Sequence, residues 1–270
     1  MKKLESRHWA FLGLAVVVAV TMLLNFEPKL DISPEAKRMH SFIDSLPPGS
    51  IIMVSFDHEA SALPEIRPLA LAFLRHAFSK GHRLVGIALM AEGTAVGYRL
   101  MDQAAAEYNK RYGVDYAFLG FQPQIIAAIL SMGESIKQTF PRDYSGHEYD
   151  SLPLLREVRK LSDVSAVVSI ADGNLATHWI EYGRARFNVT VATFVTAVMV
   201  TSYDPYVSSG QLHAMVGGLR GAAEYEKLIG IGGAGRRAML AQAASHLYIL
   251  GLILAGNVIY FVSRARKGRN

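Results

Sequence analysis

Hydrophobic and polar positions divide the chain into long uncharged runs and a mixed middle. Trp9 to Phe26 (WAFLGLAVVVAVTMLLNF) and Met239 to Val262 (MLAQAASHLYILGLILAGNVIYFV) carry no formal charge if His246 is neutral. A helix crossing a bilayer core needs about 20 such residues, so both runs are predicted to be transmembrane helices. No small-x-small pair follows the first; the chain continues Asn25-Phe26-Glu27-Pro28. That favours a retained signal-anchor over a cleaved signal peptide.

In the middle, short apolar runs alternate with helical spacings. Ser33-Pro34-Glu35 offers an N-cap, an N1 proline and a first-turn acid for a short helix to about Ser45, which Pro47-Pro48-Gly49 stops. Strand-like runs follow at Ile51–Phe56, Leu84–Met90, Tyr116–Gly120, Val164–Ile170 and Val189–Phe194, separated by helical patterns over 65–80, 94–111, 124–139, 152–161 and 175–186. Apolar strands joined by crossover helices imply a parallel sheet covered on both faces. The expected fold class is α/β: a Rossmann-like, doubly wound, mostly parallel sheet of about five strands, flanked by one transmembrane helix at each end.

The stretch from Tyr203 to Glu226 reads as the last helix of that domain. Leu212, Met215, Val216, Leu219, Ala222 and Ala223 give it an apolar pattern. Gly217, Gly218 and Gly221 lie inside it, a cost of about 1 kcal/mol each relative to Ala that a helix accepts when another backbone comes close. Arg220 and Glu224, four apart, would pair across a turn. The organisation is then a basic tail (1–8), a first span (9–26), a linker and short helix (27–48), the α/β domain (49–229), a Gly-rich hinge (230–238), a second span (239–262) and a basic tail (263–270).

The pI of 9.3 and net charge of +5 change little once the charge is located. Residues 1–8 carry net +2 and residues 263–270 net +4, leaving −1 for everything between. A juxtamembrane basic excess serves topology and anionic lipid headgroups, so no nucleic-acid partner is expected. Seven basic residues sit in the two tails, against six near the membrane on the domain side (Lys29, Lys37, Arg38, Lys227, Arg236, Arg237). This places both termini in the cytoplasm and the α/β domain outside it. The absence of cysteine excludes catalytic thiols, disulfides and Cys-type zinc or iron–sulfur sites.

Open parallel sheets bind ligands beyond the carboxyl ends of their strands. Acidic and amide side chains recur there: Asp57, His58 and Glu59 after the first strand, Glu92 and Thr94 after the second, Asp172 and Asn174 after the fourth, and Asp204 beyond the fifth. These are the ligand-binding candidates, and a divalent cation such as Mg²⁺ or Ca²⁺ is the cofactor their oxygens would take. Asp, Asn and Gly after strands also make caps and turns, which is their ordinary use. Gly230-Ile231-Gly232-Gly233-Ala234-Gly235 matches the dinucleotide fingerprint by letter, yet it follows the whole sheet and opens a membrane span, so it reads as a hinge. No Walker A, His-Glu-x-x-His or Gly-x-Ser-x-Gly sequence is present, and no catalytic residue is assigned.

The second span carries Gln242, His246 and Asn257, which lipid cannot satisfy. Together with Gly217, Gly218, Arg220, Gly221 and Glu224 they are the helix-packing candidates. The partners they imply, besides the bilayer, are another membrane-protein subunit or a second copy of the chain. The functional expectation is a non-enzymatic binding or assembly module in a membrane complex. The alternative is a membrane-anchored, metal-dependent hydrolase or transferase using the strand-end carboxylates.

Overall fold

The computed structural model describes residues 6–24 and 29–267, and it divides into Leu30–Gly235 and a unit made of the two terminal segments. The outer parts of both basic tails and residues 25–28 lie outside the described residues. The terminal unit begins with α1 (Ser6–Leu23).

Within Leu30–Gly235, α2 (Pro34–Ser45) leads to β1 (Ile51–Asp57), α3 (Leu63–Ser79), β2 (Arg83–Ala88), α4 (Ala91–Glu107) and β3 (Tyr116–Phe121). Then come α5 (Ile125–Glu134), α6 (Ile136–Thr139), α7 (Pro153–Arg156), β4 (Ala166–Ala171), α8 (Leu175–His178), a π-helical turn (Trp179–Arg184) and α9 (Ala185–Phe187). The unit ends with β5 (Val191–Val195), α10 (Val200–Ser208), β6 (Ala214–Gly217) and α11 (Gly218–Leu228); α12 (Ala234–Lys267) follows. Ser33 caps α2 as its sequence implies, its hydroxyl accepting from the Ala36 N–H at 3.3 Å.

All six strands are parallel, in the order β3-β2-β1-β4-β5-β6. This is compatible with a Rossmann-like fold, with the strand order reversing between β1 and β4. Alternate residues of β1 feed two cores. Ile52, Val54 and Phe56 pack with α2, α3, α4 and α11, while Ile51 and Met53 pack on the face carrying α5, α7, Trp179 and Tyr203. Every residue of β1, β4 and β5 is buried, as both-face coverage requires.

Two sequence expectations need correction. The sheet has a sixth strand, because Ala214–Gly217 is not helical: it pairs with β5 from Ala192↔Ala214 to Val195↔Gly217. Gly217 and Gly218 form the turn out of that strand. Gly218 has φ +68, and a Cβ there would lie 2.8 Å from the Ala197 Cβ, so glycine serves both the left-handed backbone and the close approach. A short strand buried on both faces is apolar at consecutive positions and cannot be told from a buried helical segment by periodicity, and the apolar count alone favoured the wrong period. Gly221 sits in the first turns of α11, where a Cβ would meet Val216 Cγ1 at 2.8 Å.

The second correction concerns the membrane helices. Ala234–Arg264 is long and apolar enough to cross a bilayer. Arg7–Leu23 is a shorter apolar helix, so among the described residues one helix meets that length, on the C-terminal side, and not one at each end. The 18 residues of α1 rise about 27 Å, just under the hydrocarbon thickness of about 30 Å. The two helices touch where Tyr248 Oη donates to the Ala10 carbonyl at 3.1 Å, over Gly13, whose Cβ would collide with the phenol. Ala241, Ala244, Ser245 and Tyr248 form the covered stripe of α12. Gln242, His246 and Asn257 fall outside that stripe and are exposed.

Candidate functional site

Asp57 ends β1 at the point where the strand order reverses, and it is fully buried. Its Oδ1 accepts from Ser55 Oγ at 2.7 Å and from the Leu89 N–H at 3.2 Å. Its Oδ2 accepts from Ser169 Oγ at 2.8 Å and from Trp179 Nε1 at 3.2 Å. These donors come from β1, the end of β2, β4 and the π-helical turn. One carboxyl group therefore ties the three central strands and a covering helix together. Burial pushes the Asp57 carboxyl above its ordinary range, and the hydrogen bonds from Ser55, Ser169, Leu89 and Trp179 only partly oppose it.

His58 is also fully buried, with Nδ1 3.2 Å from the Glu59 carbonyl and no protein partner for Nε2. A carbonyl can only accept, so the proton is assigned to Nδ1. The next two backbone N–H groups lie just beyond the carboxyl end of β1, on the edge where open parallel sheets bind ligands. Here they are already capped. The Glu59 N–H donates to Asp172 Oδ2 at 2.8 Å, and the Ala60 N–H donates to Glu92 Oε2 at 2.7 Å. A third carboxylate, Glu65, accepts from the Ala197 N–H at 2.9 Å. Around these contacts lies an open groove of ≈ 380 Å³, lined by Glu59, Ser61, Glu65, Asp172, Thr196 and Val198.

The remaining candidates are placed differently. Thr94 lies inside α4 instead of capping it, with its hydroxyl 3.4 Å from the Met90 carbonyl. Asn174 is exposed at the start of α8 and makes no side-chain cap. Asp204 is not at the strand-end groove. It is exposed in the middle of α10 and lines a separate groove with Ser33, Glu35, Met215 and Arg220. Its neighbour Tyr203 turns inward instead, donating to the Gly173 carbonyl at 2.8 Å. Arg220 does pair with Glu224, Nε to Oε1 at 2.7 Å, and the buried Glu224 also accepts from the Ser33 N–H at 3.1 Å and the Ser33 hydroxyl.

Sequence reasoning missed Glu65, Ser55, Ser169 and Trp179, which become neighbours only when the strands pair. It also missed a second cluster. Among the described residues, the group of His, Asp and Glu side chains whose donor atoms all lie within 4.8 Å of one another is His40, Asp44 and His76. The i, i+4 spacing of His40 and Asp44 on α2 was a visible signal. His76 Nε2 lies 2.9 Å from Asp44 Oδ1, and His76 Nδ1 lies 2.7 Å from Tyr225 Oη. Lys80 Nζ reaches Asp44 Oδ1 at 2.8 Å. Burial raises Asp44, but hydrogen bonds from Lys80 and His76 outweigh it and leave the carboxyl below its usual value.

Burial lowers His76 to about 4 against an opposing hydrogen bond to Asp44, so the ring is neutral at pH 7. An unfolded histidine titrates near 6.5, so the unfolded chain takes up this proton first as the pH falls. The stability contributed by neutral His76 is therefore full above about pH 6.5 and lost progressively as the pH falls through about 4, by up to about 3 kcal/mol. Urea midpoints measured across that window should fall more steeply for wild type than for His76→Gln. Parallel curves would contradict this.

The strand-end groove is thus a ring of carboxylates that brace backbone turns, beside a buried histidine. Compared with known proteins, the chain matches no family model and no curated sequence.

Proposed function

We propose that this chain is a membrane-tethered, non-enzymatic binding and assembly module. The observation that carries this reading is the capping of the Glu59 and Ala60 N–H groups by Asp172 and Glu92. An anionic ligand at this strand end would compete for those donors, and each is already held by the protein's own carboxylate. The groove accordingly suits the basic segment of a partner better than an anionic small molecule.

The hydrolase reading needs a nucleophile hydrogen-bonded to a positioned base. The hydroxyl–carboxylate pair facing the groove, Ser61 Oγ and Glu59 Oε2, stands at 3.4 Å and is exposed, which is weak geometry for that task. No specific observation favours that alternative.

In the proposed arrangement both terminal helices lie in the bilayer, with the termini cytoplasmic and the α/β domain on the other side. The density of Lys and Arg in the short tails supports this orientation. Lys227 Nζ donates to the Leu30 carbonyl at 2.8 Å, which ties the start of the domain to α11. The polar face of α12 outside its contact with α1 is the surface on which a subunit or a second copy would pack.

Asn257→Leu combined with Gln242→Leu should reduce the recovery of co-purifying subunits or dimer from native membranes in mild detergent. Replacing Val258, exposed on a different face of α12, with alanine should not. Recovery of a lone wild-type monomer, or an unaffected double variant, would count against the reading.

A further inference from the structure

The His40–Asp44–His76 cluster lies where α2 and α3 finish, before β1 and β2 begin. This is the edge of the sheet opposite the strand-end groove. We propose that these three side chains form a binding site for a divalent transition metal that favours imidazole, of the Zn²⁺ or Co²⁺ type.

The argument starts from ligand type. Two imidazoles and one carboxylate are a donor set suited to Zn²⁺ and Co²⁺, whereas Mg²⁺ and Ca²⁺ prefer oxygens alone. Three protein ligands leave a fourth tetrahedral position for water. Metal–ligand bonds of 2.0–2.2 Å set ligand atoms about 3.3 Å apart in a tetrahedron. His76 Nε2 to Asp44 Oδ1 is 2.9 Å and His40 Nδ1 to Asp44 Oδ2 is 3.6 Å, so each imidazole already stands near that distance from one carboxylate oxygen, and one donor atom from each of the three residues lies within 4.8 Å of the others.

Support behind the ligands is also present. The His76 ring is almost fully buried and fixed from behind by the Tyr225 hydroxyl, which is itself buried. When Nε2 takes the metal, the ring proton resides on Nδ1 and Tyr225 Oη accepts it, so the tautomer changes and no proton is lost from the ring. A hydrogen bond on the far nitrogen is the usual way a ligating histidine is oriented. His40 is the adjustable member. Its ring stacks on His76 at 4.5 Å and 17°, and stacked rings do not aim their lone pairs at one point. Its side chain is 22% exposed, which leaves room to turn the ring toward the shared centre.

Lys80 opposes the metal. Its ammonium occupies Asp44 Oδ1 in the metal-free arrangement, yet its side chain is 44% exposed and can swing into water. The site is therefore a contest between one tethered cation and a divalent ion for the same carboxylate, which predicts opposite effects for two kinds of variant.

The test uses the full-length protein in detergent with any polyhistidine tag removed. Binding is followed by visible absorption of Co²⁺ and by calorimetry with Zn²⁺. Wild type should take up one ion with the absorption of a tetrahedral Co²⁺ centre, displaced by Zn²⁺. His40→Ala and Asp44→Asn should each weaken binding at least about tenfold, and Lys80→Met should tighten it severalfold. His40 is partly exposed, so a melting curve of His40→Ala that overlays wild type shows that the fold is kept. Absence of binding to wild type would overturn the proposal. So would unchanged affinity in the folded His40→Ala variant, which would place the ion elsewhere, or weaker binding in Lys80→Met.

Discussion

Asp57→Ala is expected to destabilise the α/β domain by about 3–4 kcal/mol, whereas Asp57→Asn should cost about half as much. Removing the carboxyl strands four donors. Ser55 and Ser169 can turn their hydroxyls, but the Leu89 N–H and Trp179 Nε1 are fixed by backbone and ring and lose a buried acceptor. Asparagine keeps an oxygen for one of these two fixed donors, which sit on different carboxylate oxygens, and removes the tendency of burial to oppose a charge, the dominant influence on this group. Urea unfolding of the full chain in detergent, followed by the fluorescence of the buried Trp179, measures the difference. Equal midpoints for wild type and Asp57→Ala would show that the carboxyl is not a clamp.

Gly93→Ala is expected to be comparably damaging, at about 3 kcal/mol or more. In most helices this change would gain up to about 1 kcal/mol, because glycine is a poor helix former. Here a Cβ would lie 2.1 Å from the Phe56 carbonyl oxygen and 3.0 Å from its carbon. Phe56 is pinned in the central ladder opposite Ile170, so the strand cannot retreat and the first turn of α4 must lift off. That would carry Glu92 away from the Ala60 N–H, so the variant should loosen the strand-end turn as well as the core. Gly173→Ala is the control. It lies in the same groove with nothing within 4 Å of the added Cβ, and its midpoint should match wild type. Should Gly93→Ala prove as stable as wild type, the close approach of α4 to β1 would carry no energetic weight.

The gap between the sequence reading and the structure follows from distance along the chain. The helices over 63–79 and 91–107, and five of the strands, were legible because burial on both faces leaves unbroken apolar runs and helices leave a 3.6-residue spacing. β6 escaped because four residues, Ala214 to Gly217, are too few to show a period and run straight into a true helix. Asp204 was misplaced for a related reason. Pro205 sits inside α10, whose start at Val200 turns Tyr203 inward and leaves Asp204 on the outside.

The candidate site divides in the same way. Asp57, Glu59, Glu92 and Asp172 could be named from their place after strands, since strand ends in a parallel sheet converge on one edge whatever the details. Their actual work could not be named. Whether a carboxylate waits for a ligand or caps a neighbouring turn depends on which N–H groups the fold brings within 3 Å, and Glu59 and Asp172 are 113 residues apart. The same holds for His76, whose partners Asp44 and Tyr225 come from 32 and 149 residues away.

The sequence by itself determined the architecture: an apolar helix able to span a bilayer at the C-terminal side, and a parallel α/β domain with its acidic strand ends on one edge. Those properties are set by local period and composition. The tertiary structure alone decided which strand lies beside which, that the strand-end N–H groups are internally capped, and that His40 and Asp44 meet His76 at the opposite edge. Such outcomes rest on contacts between distant segments, whose chemistry is fixed only when the chain has closed around them.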